Sequence, residues 1–102
     1  MPHQPLPTLL FFATARSGPA RRMESLLAHL ARKERGRLRI WRIDADARPE
    51  WVKRLEIDTI PTLILVKDKK PVARLEGRVS APQIERMIQP YLPEEAGRAA
   101  AA

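Results

Sequence analysis

A short apolar run, Leu9 to Ala13, leads through Thr14-Ala15-Arg16 into the corner Ser17-Gly18-Pro19-Ala20 and then into an amphipathic segment. No other passage constrains the fold as tightly. Leu6 to Thr14 is apolar without clear alternation, the pattern of a central strand covered by helices on both faces. Proline is well placed at a first helical position, so a helix starts at Gly18-Pro19. It continues to about Arg35, because Met23, Leu26, Leu27 and Leu30 recur at the spacing of one buried stripe. Gly36 then serves as the stop. A buried strand turning directly into a helix implies an α/β fold.

The remaining elements follow in order. Leu38, Ile40 and Ile43 suggest a second strand of mixed exposure, with Trp41 and Trp51 expected as partial core rather than as base-stacking platforms. Asp44 to Arg48 is a loop, and Pro49 opens a short helix through Leu55. Thr62 to Val66 is β-rich, the turn Asp68-Lys69-Lys70 closes it, and Pro71 to Leu75 pairs back. Ser80 with Gln83 three residues on is a capping box, and Ile84, Met87, Ile88 and Tyr91 give the last helix its apolar stripe. Residues 1–92 are expected as a single domain behind a Pro-containing lead, and residues 93–102 as a flexible tail.

The order β-α-β-α-β-β-α, with four landmarks, resembles the thioredoxin family over about residues 6–92. The landmarks are Ser17-Gly18-Pro19-Ala20, Ile43-Asp44 through Pro49, Ile57-Asp58-Thr59-Ile60-Pro61-Thr62-Leu63, and Leu75-Glu76-Gly77. The third is similar to the family signature that holds a cis-proline beside the active site. Ser17 comes early in the chain. The resemblance therefore implies a trimmed thioredoxin-like core, a four-stranded mixed sheet flanked by three helices.

The departures are as informative. Ser17 and Ala20 occupy the positions where the family carries its redox thiols, and the chain contains no cysteine. Without a thiolate no mixed disulfide forms, so thiol-disulfide chemistry is unavailable. Arg16 stands where the family has a tryptophan, and Phe11 where it buries a carboxylate. Ile40 stands where a lysine neighbours that acid. A buried carboxylate costs stability and persists only where proton transfer requires it. Its loss together with the thiols marks a natively redox-silent site.

The resemblance also implies a shallow groove that grips an extended peptide. Its walls are Gly18-Pro19, Thr59-Ile60-Pro61 and Gly77-Arg78, with Arg16 and Ser17 at the rim. The residue before the cis-proline pairs its backbone with the bound strand. The plainer alternative is that Gly18-Pro19 and Pro61 are kept because the turn and the cis bond require them. Ser17 is expected to cap the helix, worth about 1 kcal/mol, or simply to be solvated, rather than act as a nucleophile. Neither His3 nor His29 is placed to be its base.

Arg16, Arg21 and Arg22 surround the positive end of the first helix, where an anion is favoured. The formal charge of +7 adds to this. Such a surface attracts acidic partners or polyanions, although arginine in any solvated position gives the same composition. No spacing of His, Asp and Glu suggests a metal site, and no Gly-rich loop suggests a nucleotide. No cofactor is expected.

The start of the sequence lacks a signal-peptide pattern and no apolar run reaches the roughly 20 residues of a membrane span, so a cytoplasmic protein is expected. The expected function is a redox-inactive adaptor that holds a protein or extended peptide in the former active-site groove. A basic module for polyanions or acidic partners is the alternative. Membership of the thiol-disulfide oxidoreductases in cell redox homeostasis, nominal in the absence of thiols, is the weaker one.

Overall fold

Strand β1 (Thr8–Ala13) is the spine of the sheet, pairing parallel with β2 (Arg39–Asp44) and antiparallel with β3 (Thr62–Lys67). Strand β4 (Lys70–Glu76) pairs antiparallel with β3, giving the order β2-β1-β3-β4. The computed structural model describes residues 6–15 and 18–93, without the side chains of Pro19 and Ala20. The lead, Arg16, Ser17 and the tail from Glu94 lie outside the described residues.

Strand pleating divides the core in two. Leu9, Phe11 and Ala13 of β1 join Leu63 and Leu65 of β3 on one face. Helix α1 (Gly18–Lys33) covers that face with Met23, Leu27 and Leu30, and helix α3 (Ala81–Ile88) with Ile84 and Ile88. On the other face Leu10, Phe12, Ile43, Ile57 and Ile64 pack under Val52 of the short helix α2 (Pro49–Arg54) and Leu55, which caps its end. Each fully buried Leu, Ile or Phe contributes about 1.5–3 kcal/mol, and β1 is buried on both faces. This explains its unbroken apolar sequence.

Several boundaries differ from the sequence reading, each for a local reason. Helix α1 ends at Lys33, because the amides of Arg37 and Leu38 fold back onto the Glu34 carbonyl at 2.9 and 3.1 Å. Gly36 takes the left-handed φ of 82° that this turn needs. The β3–β4 hairpin turns on two residues, Asp68 and Lys69, both at positive φ, so Lys70 already belongs to β4. A register shift between Leu65 and Val66 leaves Val72 unpaired beside Pro71, a bulge on an edge strand, where proline is tolerated. Helix α3 stops at Ile88, and Tyr91 belongs to a following 3-10 turn, Gln89–Tyr91, containing Pro90. The Ser80–Gln83 capping box is present, with Gln83 Oε1 accepting from the Ser80 amide at 2.8 Å.

The tryptophans correct an expectation. Trp41 is 53% exposed and Trp51 37%, so neither is core. Trp41 lies on the α2 face of an edge strand, and α2, six residues long, covers Ile43 but stops short of it. Trp51, on the short helix α2, is likewise absent from the cluster that Val52 and Leu55 cover. Among the described residues no helix is long and apolar enough to cross a membrane.

Candidate functional site

Register alone gathers three loops at one end of the sheet. Phe12 at the end of β1 stands opposite Thr62 at the start of β3, and Thr62 stands opposite Glu76 at the end of β4. Chain leaving β1 toward Gly18, chain entering β3 through Pro61 and chain leaving β4 at Gly77 therefore emerge side by side. The β2–α2 loop joins them, because the Ala45 amide donates to the Ala13 carbonyl at 2.9 Å.

The middle loop is tightly held. The Ile60–Pro61 peptide is cis. Pro61 and Thr62 are fully buried, and the Thr62 hydroxyl donates to the Thr59 carbonyl. The Gly77 amide donates to the Pro61 carbonyl at 2.7 Å, joining two of the expected walls directly. Gly77 takes φ 75°, a conformation that strains any residue with a Cβ. The Ile60 side chain packs half-buried against the α2-side cluster, while Thr59 and Arg78 are exposed. Among the described residues no backbone hydrogen bond engages the Ile60 N–H or C=O.

The third expected wall begins at Gly18, the exposed first residue of α1. Arg16 and Ser17 lie outside the described residues, and of Pro19 and Ala20 only the helical backbone is described. Arg21 and Arg22 are exposed on α1, but they do different things. Arg22 lines a cleft between α1 and α3, whereas Arg21 does not.

Beneath the site the core is apolar. Phe11 is 2% exposed among Met23, Leu27 and Ile84, and Ile40 packs partly buried against the same cluster. No titratable group occupies either position, so nothing there relays a proton to the loops above.

Arg74 was not singled out by the sequence, yet it steadies the site. Its guanidinium donates to the Leu55 carbonyl and, at 3.3 Å, to the Glu56 carbonyl. These are free acceptors at the end of α2, immediately before the loop to Pro61. Strand alternation held the signal, since Arg74 faces Ile64 on the α2 side of the sheet.

The family model described as Thioredoxin matches residues 3–90. A thioredoxin-like protein of Synechocystis sp. is 31% identical over 88 residues, covering 86% of this chain and 84% of that relative. A thioredoxin of Mycobacterium tuberculosis is 30% identical over 87 residues, covering 85% of this chain and 75% of its own. Among solved structures, the germline-specific thioredoxin Deadhead of Drosophila melanogaster superposes with a TM-score of 0.78 at 24% identity, over 84% of this chain and 81% of that one.

Proposed function

The chain belongs to the thioredoxin family and has no cysteine, and from that premise we propose that it is a redox-inactive adaptor whose groove binds an extended peptide or protein segment without covalent chemistry. One observation carries this reading. The Ile60 N–H and C=O make no backbone hydrogen bond among the described residues, although both neighbouring positions are locked. An added strand can use that donor and acceptor, with Gly18, Thr59 and Arg78 beside it. The cost of ordering the loop is already met by the Gly77–Pro61 and Thr62–Thr59 bonds, which favours binding by preorganisation.

Selection from a random peptide library tests it, with wild type beside Ile60→Asp and Thr59→Arg. Thr59 is exposed, so its variant keeps the fold even if burial of an aspartate at position 60 disturbs it. Peptides retained by wild type and lost by both variants support the groove. Retention by a folded Thr59→Arg chain contradicts it. A disulfide-reduction assay is expected to give no turnover above buffer.

A second reading rests on the charge of +7 and the exposure of Arg21, Arg22 and Arg78. It is a basic surface that binds polyanions or acidic partners. Such binding weakens steeply with salt, because each phosphate contact releases a counterion. Binding that is indifferent to salt excludes it.

A further inference from the structure

Helices α1 and α3 both seat on the sheet but leave between them a cleft of about 410 Å³. Its floor is aliphatic, made by Leu26, Leu30 and Ile84. Ser25 of α1 and Ala81 of α3 also line it, and both are too small to fill it. The volume lies within the range of about 300–1,000 Å³ common for small-molecule sites. At roughly 30 Å³ per water-sized group it holds about a dozen non-hydrogen atoms.

The charges around this floor are not balanced. Arg22 and His29 line the α1 side, one on each side of Leu26 along the helix. The only acid of α1, Glu24, is engaged by Arg42 of β2. On the α3 side Glu85 is paired with Lys33 at 3.2 Å. Among the described residues Arg22 has no ion-pair partner, so the α1 wall offers donors and positive charge over an apolar floor.

We propose that this cleft binds a small monocarboxylic acid with an aliphatic or aryl body. The body lies on Leu26, Leu30 and Ile84, which removes apolar surface from water. The carboxylate accepts from the Arg22 guanidinium and the His29 ring N–H, the charge-assisted bonding that fixes orientation. The site is separate from the Ile60 groove and stands or falls without it.

Amide-resolved NMR titration of the full chain with phenylbutyrate, beside the neutral phenylbutanol, tests the proposal. Saturable shifts are expected at residues 22–30 and 81–85 at millimolar acid, with the acid at least about tenfold tighter than the alcohol, as the charge-assisted bonds to Arg22 and His29 provide. The double change Arg22→Gln and His29→Gln should erase that preference. Ser25→Trp should fill the cleft and abolish both titrations. All three positions are exposed, so these chains remain folded, which their unfolding midpoints verify. Equal affinity for acid and alcohol overturns the proposal. So do unsaturable acid shifts, shifts centred elsewhere, or acid binding that survives Ser25→Trp.

Discussion

Gly77 donates its amide to the carbonyl of Pro61 at 2.7 Å, so the glycine just after β4 is tied to the cis-proline just before β3. The proposed peptide groove depends on that contact. It holds the loop before β3 still while leaving the Ile60 backbone groups unused by the described fold.

The first prediction concerns the two wall glycines. Gly77→Ala should destabilise the chain by about 1–2 kcal/mol, the cost of a left-handed L-residue, and should weaken peptide binding. Gly18→Ala, where the backbone is helical and φ is not positive, should shift stability by no more than about 1 kcal/mol, the helical gain of alanine being offset by its place before a proline. Denaturant midpoints of the two variants should therefore move in different directions or by clearly different amounts.

A second prediction follows from Arg74. Replacing it with Met should cost about 1 kcal/mol and speed amide exchange in residues 55–60, because the carbonyls at the end of α2 lose their donor. Glu76→Gln should cost almost nothing, since its contact with Arg74 is a surface pair at 3.4 Å.

Glu34 and Arg37 are the third case. Both are buried, with the guanidinium 3.0 Å from the Glu34 carboxylate and its Nε donating to the Pro93 carbonyl at 3.0 Å. Glu34 Oε1 nevertheless makes no aligned hydrogen bond, so charge attraction rather than hydrogen bonding holds the pair. Arg37→Met should cost about 3–5 kcal/mol, because it leaves a buried carboxylate alone. The double variant Glu34→Leu with Arg37→Met should recover most of that loss, and a double-mutant cycle measures it.

Fourth, Trp41→Thr should change stability by no more than about 0.5 kcal/mol, far below the 3–5 kcal/mol of a core tryptophan. In a Trp51→Phe background, iodide should quench Trp41 emission freely.

Where sequence and structure agree, the signal was local and redundant. The apolar run of β1, the stripe of α1 and Ser80 with Gln83 each state their own conformation, whereas the cis bond before Pro61 was legible only through the family resemblance. Trp41 was misjudged because its exposure depends on the length of α2 and on β2 being an edge, facts of topology rather than of its neighbours in sequence. Arg74 went unnoticed because its acceptors lie 18 and 19 residues away. Lys69 at φ 66° was hidden for another reason, since hairpin turns of this kind usually announce themselves with glycine. The loops proposed as groove walls stood out as motifs, whereas the bond between two of them emerged only from strand register.

Amide exchange at Ile60, followed with and without a peptide selected by the wild-type chain, tests the central claim most directly. The Ile60 amide should exchange quickly in the free protein and become protected when the peptide binds, as its N–H enters a new strand pairing. A peptide that binds while the Ile60 amide stays unprotected would contradict the groove as the site of recognition.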